Sequence, residues 1–298
     1  MGSNNSDILS IALTRQSIHV GVLNRLTENF VLKSYFQYDL DEGDILEFRP
    51  NGHWESISIE IRKLLFTHSI SKVIFGVGLD NGYIDTIPQL DFTGTGNNSA
   101  YFESLFEFGA QANASDYTFF NLPKNSFSSW LFVIPKATIR FLNNFCSELN
   151  LDKPAILLNP ISFENLFSHL KYKNNTLFIA NGEDQIDLWY SSPANNAEEW
   201  RYAFKRKDLS SLNILEKIVP DFLQYLYRKN LLPVYQIVLL PHGLNLPKFG
   251  QLNLQNVSIM SINTDKICLF APEVESMRNK LLTKAGFYHI LGNVIHNI

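Results

Sequence analysis

Cysteine is nearly missing from the 298-residue chain: Cys146 and Cys268 are the whole complement, and they stand far apart. Two such residues make no disulfide framework. The seven histidines are scattered, without an i, i+4 pair or a Cys/His cluster, so a zinc site is not expected. Cys146 falls in an apolar helical pattern, the usual setting of a small buried thiol. A pairing with Cys268 stays open, and a reducing compartment is favoured. Long apolar runs are also lacking. No stretch approaches the ~18 residues that a spanning helix needs, and the opening MGSNNSD has no apolar segment of a secretory signal. The expectation is a cytoplasmic protein that meets a membrane only through a partner. Charge is sparse as well, at 18% of residues with a net value of −4, which leaves no electrostatic footprint for nucleic acid. The basic cluster Lys205, Arg206, Lys207 reads as a solvated turn.

What the chain does have is a core. Hydrophobic residues make up 45%, enough for a globular body of two domains or one large two-lobed unit. Residues 8–13 (ILSIAL), 18–24 (IHVGVLN) and the run FVLKSYFQYDL read as three antiparallel strands. WESISIEIRKLLFTH then carries Ile57, Ile61, Leu64 and Leu65 at helical spacing, and SKVIFGVGL reads as a buried strand. YIDTIPQL looks like an edge strand closed by Pro88, followed by a polar loop and a short helix around YFESLFEFGAQA. Strands are expected at DYTFFNL and SSWLFVIP. A helix over KATIRFLNNFCSELN, a strand at KPAILLN and a helix at ISFENLFSHL complete the first half. The second half repeats the theme: strands TLFIAN, QIDLWYS and EWRYAFKR, a helix over 212–229, a buried strand YQIVLLP, a final strand VSIMSIN and a closing helix over 274–293. Each half runs as a strand meander, a helix and a central strand, a repeat of organisation without detectable identity. The fold class is α/β in two lobes.

This order of elements resembles the actin-like ATPase superfamily, two ribonuclease H-like repeats. Within it the chain is most similar in pattern to the type IV pilus assembly protein PilM family and the cytoplasmic region of its type II secretion counterpart. The middle of the chain carries the likeness. YIDTIPQL, the helix around FESLFEFGAQA and DYTFFNL, then WLFVIPKATIRFLNNFCSELNLDKPAILLNPISFENLF, follow the family's strand, helix, returning strand, Pro-Lys turn and helix. The resemblance implies a first lobe over 8–170 with an inserted subdomain at about 80–151. It implies a second lobe over 171–298, whose last helix, 274–293, returns toward the first.

Three loops form the nucleotide pocket of that superfamily, and the resemblance lays each on this chain. In IALTRQSIHVGVL, Ala12 stands at the first Asp position and Thr14 at the Gly, followed by Arg15 and Gln16. In FIANGEDQIDLW, Ala180 stands at the second Asp, with Gly182 and then Glu183. In IVLLPHGLNLP, Pro241, His242 and Gly243 occupy a usual glycine run, and Asn245, Leu246 and Pro247 match the small residues after it. Paired aspartates would hold Mg²⁺, a hard cation that needs oxygen ligands. Alanine at both positions removes those anchors. Glycine in the first turn would let backbone N–H groups approach phosphates, and Thr14 and Arg15 put side chains there instead. Proline at 241 deletes a donor and restricts the backbone. The three departures together point to vestigial nucleotide loops, with no cofactor and no catalytic or metal-ligating residues, in a chain that is not an enzyme. Gly182 and Gly243 keep their places, so the pocket's shape is expected to persist.

Other patterns read plainly. Glu183 and Asp184, adjacent in a turn, are expected as solvated turn residues. His242 has no Ser or Cys nucleophile context. GVGLDNG at 76–82 lacks the Lys-Ser/Thr of a P-loop and reads as a strand end. Aromatics of the inserted region (Phe106, Phe108, Phe119, Phe120, Phe127, Trp130) read as core or as the wall of a groove for an apolar peptide. The family binds a short peptide of its membrane partner, so the resemblance implies a scaffold in a bacterial pilus or secretion assembly, at the cytoplasmic face of the inner membrane. Two alternatives stand beside it. One is an active actin-like ATPase or kinase in which Glu183, Asp184 or Asp187 replaces the lost metal ligands with ATP and Mg²⁺ bound. The other is an actin-fold protein unrelated to pili.

Overall fold

The computed structural model describes residues 6–14, 16–26, 29–41, 47–49, 51–78, 83–88, 116–123, 128–183, 185–195, 197–205, 210–231, 233–243 and 257–295. The helix expected around 101–112, the loop residues 245–247, Arg15, Arg206, Lys207, Asp184, Phe106, Phe108 and Phe127 lie outside the described residues, as do positions 79–82 of the GVGLDNG segment.

The first sheet is built from β1 (Asp7–Leu13), β2 (Ser17–Arg25), β3 (Phe30–Asp39) and β4 (Ile70–Val77). It is completed by a later strand, Ala155–Leu158, and by a much later one, Cys268–Phe270. A three-stranded sheet intervenes, with β5 (Tyr83–Pro88), β6 (Tyr117–Pro123) and β7 (Ser128–Pro135) in the order β5-β7-β6, all antiparallel. With Ala155–Leu158 as β8 and Cys268–Phe270 as β14, the first sheet runs β14-β3-β2-β1-β4-β8. The second sheet contains β9 (Thr176–Asn181), β10 (Gln185–Ser192), β11 (Ala197–Phe204), β12 (Gln236–Leu240) and β13 (Ser258–Ser261), in the order β11-β10-β9-β12-β13. Both sheets thus place an antiparallel meander beside parallel strands, the same plan twice.

Helix spacing locates the covering layers. In α1 (Gly52–Thr67) the Asn51 side chain caps the start by accepting from the Trp54 N–H at 3.2 Å, and Trp54, Ile57 and Ile61 are buried. The helix α2 (Lys136–Glu148) packs beside it, with Trp54 at 4.8 Å from Phe141 and 5.0 Å from Phe145, centroid to centroid. The small sheet leads into this helix, yet Phe145 also meets Phe75 of the first sheet. The helix α3 (Asn159–His169) follows β8, and α4 (Ser211–Arg228), capped by Ser210, continues through Pro220. Strand alternation on β9 and β10 then divides the core. Leu177, Ile179, Ile186, Leu188 and Tyr190 face α4, while Phe178, Ala180 and Trp189 join the core of the first sheet.

The closing helix expected over 274–293 is three: α5 (Pro272–Glu275), α6 (Arg278–Leu281) and α7 (Ala285–Ile295). A continuous helix would offer the Leu282 carbonyl to residue 286. Here that carbonyl accepts from the His242 N–H at 2.9 Å and the Tyr288 hydroxyl at 3.0 Å. The expected final strand at 257–263 is present as β13 but is not the last. Cys268–Phe270 adds a further strand, parallel to β3, too short to show a period. Both cysteines are free and buried, and burial pushes each thiol up to about 12.

Helix α7 lies against β1, β2 and α3 at a distance that requires glycine. A Cβ on Gly292 would come 1.8 Å from the Ser162 carbonyl oxygen, and one on Gly286 would come 2.0 Å from the His19 ring. Buried polar contacts fix this crossing. Ser10 donates to the Ile290 carbonyl at 3.0 Å, Asn293 donates to Ser10 at 3.3 Å, and Ser162 donates to Asn293. Each group is satisfied inside the protein, which is the condition for burying it at low cost. Phe167 of α3 stacks on Phe178 of β9 at 4.1 Å and ties the layer to the second sheet. Among the described residues, no helix is long and apolar enough to cross a membrane.

Candidate functional site

The two hairpins β1–β2 and β9–β10, one from each sheet, meet through their turns. Thr14 shapes the first turn: its Oγ1 accepts the Ser17 N–H at 3.0 Å, and its own N–H donates to the Ser17 carbonyl at 3.0 Å. Ser17 and His19 alternate with Ile18 and Val20 on β2, so both side chains point to the same side as the Thr14 hydroxyl. Glu183, on the turn of the second hairpin, reaches into this group. Its carboxylate lies 2.6 Å from Thr14 Oγ1 and 2.6 Å from His19 Nε2, and it accepts the Ser17 hydroxyl. The side chain of His19 is fully buried and that of Glu183 is one-fifth exposed. Burial works against the carboxylate charge, but His19, then Ser17 and Thr14, outweigh it and hold the group down to about 2. Glu183 is therefore an inward-facing acid, not the solvated turn residue expected. The turn places it so because Gly182 before it carries no side chain. A Cβ there would lie 2.9 Å from the Gln185 carbonyl oxygen.

His19 is held on every side. Nδ1 is 2.6 Å from the Tyr35 hydroxyl, and Gly286 abuts the ring. Burial, and then the charge of Glu183, push the Tyr35 phenol upward. Ser17, His19 and Glu183 bring together the residue types of a hydrolytic triad, but not its geometry. Ser17 Oγ and Glu183 both address Nε2, at 2.7 and 2.6 Å, whereas a relay needs nucleophile and acid on opposite ring nitrogens. Beneath the second turn, His289 of α7 is buried, its ring 4.0 Å from that of Phe163 and tilted against it by 30°. Burial lowers its pKa to about 3, so it is neutral at pH 7.

The remaining expected residues divide. Ala12 and Ala180 are fully buried, opposite His19 and Asp187 respectively in their hairpin registers. Gln16 lies on the first turn and bonds back to it, through its N–H, at 3.4 Å from Thr14 Oγ1. The third loop is anchored elsewhere. Pro241 follows a cis peptide bond, the His242 ring donates to the Ile262 carbonyl at 2.8 Å, and Gly243 adopts φ +82 with open space around it. His242 is thus a structural tie between β12, the segment after β13 and α6. Asp187 is not a stand-in metal ligand. It is fully buried and accepts from the Gln185 amide at 2.8 and 2.9 Å and from the Trp200 indole at 3.0 Å. Burial, only partly offset by those bonds, raises it to about 7.

Mg²⁺-ATP does not fit this donor set. Ala12 and Ala180 offer a cation no side-chain oxygen, and the Glu183 carboxylate between the hairpins is already engaged by Thr14, Ser17 and His19. A pocket of about 270 Å³ opens at the far end of β10, lined by Phe167, Tyr172, Trp189 and Ser192 among others, and none of the expected nucleotide-loop residues borders it. Trp130 is 1% exposed and packs edge-on to Trp189 and Trp200 at 5.5 and 5.6 Å, so it is core between the small sheet and the second sheet and not a groove wall. Phe120 stacks on Phe132 at 4.9 Å.

Sequence reasoning missed His19, Ser17 and Tyr35. The available signal was the polar face of β2, where Ser17 and His19 interrupt an otherwise apolar strand.

The arrangement of two repeated sheets around these hairpins is the actin-like ATPase fold, as solved structures show. The chain is similar over 98% of both chains to a PilM–PilN type IV pilus biogenesis complex, with a TM-score of 0.65 and 12% identity. It is similar to the cytoplasmic domain of EpsL, an inner membrane component of the type II secretion system of Vibrio cholerae. There the TM-score is 0.53 at 12% identity, over 98% of this chain and 95% of that one. A Bacteroides thetaiotaomicron protein with an actin-like ATPase fold and unknown function matches at 0.53 and 13%, over 88% and 94%. No family model and no curated protein matches the sequence.

Proposed function

We propose that the chain is a non-hydrolysing actin-fold scaffold that binds a partner protein of a bacterial pilus or secretion assembly at the cytoplasmic face of the inner membrane. The observation that carries the loss of catalysis is Glu183. Its carboxylate lies between the two hairpins and takes the hydroxyls of Thr14 and Ser17, while alanines stand at both positions where the superfamily keeps acids. Such a site uses its polar groups on itself and has none left for a metal–phosphate. Support for the assembly role comes from the likeness to PilM and to the EpsL cytoplasmic domain. The partner is then a membrane-assembly protein, or a short apolar peptide of one.

Thermal unfolding with and without millimolar ATP and Mg²⁺ tests the first half. A ligand that binds only the native state stabilises it by RT ln(1 + [L]/Kd), so Tm climbs with the logarithm of its concentration. An unchanged Tm is expected, and a rise that grows with nucleotide concentration overturns the lost-site reading in favour of a chain that binds ATP. For the second half, cross-linking in the source cell should capture a pilus or secretion component. Capture of unrelated proteins alone points to an actin-fold protein outside such machines.

A further inference from the structure

We propose that Ser34, His68 and Asp7 form a relay that makes Ser34 an acyl-accepting nucleophile toward small activated esters. The Ser34 hydroxyl lies 2.8 Å from His68 Nε2, and the other ring nitrogen, Nδ1, faces Asp7 Oδ2 at 3.6 Å. Nucleophile and acid thus stand on opposite ring nitrogens, the arrangement that Ser17, His19 and Glu183 lack. The longer contact exceeds a hydrogen bond, as catalytic contacts often do before substrate binds.

The strand carrying the serine is irregular at this cluster. Val22 pairs with Ser34 and Leu23 with Leu32, so Lys33 is an extra residue, a bulge in β3. Leu32 and Tyr35 both face the α7 side, Leu32 lying with Ile290 over Gly21 and Tyr35 reaching His19. Strict alternation would put residues three apart on opposite faces. The bulge absorbs the difference by turning Lys33 and Ser34 to one side, where Lys33 Nζ meets Asp7 and Ser34 meets His68. Backbone bonds hold the other two members. The His68 N–H donates to the Leu64 carbonyl at 2.9 Å at the end of α1, and the Asp7 N–H donates to the Ser69 carbonyl at 3.0 Å. Asn24 and Lys33 donate to Oδ1 of Asp7 at 2.8 and 2.7 Å, which leaves Oδ2 toward the imidazole. The acid is buried, whereas the imidazole and the serine are partly open to solvent.

In the step proposed, Ser34 Oγ bonds to the ester carbonyl carbon as His68 Nε2 takes the hydroxyl proton. The bond from that carbon to the leaving alcohol breaks, and the alcohol departs with the proton from His68. Water then repeats the sequence on the acyl-serine and releases the acid. This goes beyond the scaffold reading, which concerns nucleotide at the turns of the two hairpins, and neither depends on the other.

The full chain is treated with a fluorophosphonate, folded and in urea, and the labelled residue is mapped by mass spectrometry. Labelling of Ser34 in the folded chain alone is expected, together with release of p-nitrophenol from p-nitrophenyl acetate that Ser34→Ala abolishes. His68→Gln should slow the labelling by at least about tenfold, since a general base contributes roughly 10²–10⁴-fold. Asp7→Asn should lower kcat for the ester and leave KM unchanged, and an unaltered kcat overturns the relay. Label absent from Ser34, or Ser34 labelled no faster in the folded chain than in urea, overturns the proposal on the native protein, whether or not the variants fold. An undiminished labelling rate in folded His68→Gln overturns it as well.

Discussion

His19 of the first sheet and Glu183 of the second face each other at 2.6 Å, with the imidazole wholly buried. The contact joins residues 164 apart in sequence, and the hydroxyls of Thr14 and Ser17 complete it. Removing one partner of such a pair leaves the other poorly solvated. His19→Leu is expected to destabilise the protein by about 2–4 kcal/mol, read as a lower urea midpoint with an unchanged slope. A loss below about 0.5 kcal/mol would mark the contact as a mere surface pair.

The acid limb of the stability curve should report Glu183. Its folded pKa, about 2, lies below the ordinary carboxylate value of 4.5. The unfolded chain therefore takes up a proton first as pH falls. The stabilisation is complete above about pH 4.5 and is lost as pH drops toward 2. Glu183→Gln should flatten this limb by up to about 1.4 kcal/mol per pH unit. An unaltered acid limb in the variant contradicts the assignment.

Asp187 has the opposite sign. Burial raises it from 3.8 to about 7. The folded state holds its proton where the unfolded chain has lost it, so this group's contribution is full below about 3.8 and declines as pH rises through 7. Asp187→Asn should remove that decline. Because the carboxylate touches the Trp200 indole, and Trp200 stacks on Trp189 at 5.4 Å, tryptophan fluorescence should titrate near pH 7 in the native chain and stay flat in the variant.

Gly286→Ala places a methyl inside the His19 ring envelope, and the buried ring is held on its other sides by Tyr35 and Glu183. Overpacking of this kind is expected to cost about 1–3 kcal/mol. Combined with His19→Ala, the loss should fall short of the sum of the two single changes, since the smaller residue makes room. Additivity in that cycle would refute the contact. Gly292→Ala meets backbone instead of a side chain and should fare worse.

Much of the fold was legible because strands and helices advertise themselves by period. Ile18, Val20 and Val22 marked β2, and Ile57, Ile61 and Leu64 marked one face of α1. The repeated meander was enough to suggest two lobes and the actin-like resemblance. Of the site, the sequence made legible only the two turns and the alanines at 12 and 180. The rest was hidden, because Glu183 in a Gly-Glu-Asp turn has the local signature of a solvated acid, and nothing within ten residues of it reveals a histidine on another sheet. Strand Cys268–Phe270 escaped for a different reason: three residues hold no period, and its ladder is dictated by β3, more than two hundred positions earlier.

The crossing of α7 over β1 has a consequence for how the molecule is made. Ser10 donates to Ile290, and β14 finishes the edge of a sheet whose first strands leave the ribosome far ahead of it. Throughout synthesis the N-terminal strands wait with one face bare and one edge open, the state most exposed to mispairing. So high a separation between contacting residues slows folding. Pulse-labelling of nascent chains should find β1–β3 protected only after about residue 295 has emerged, and a chaperone bound until then.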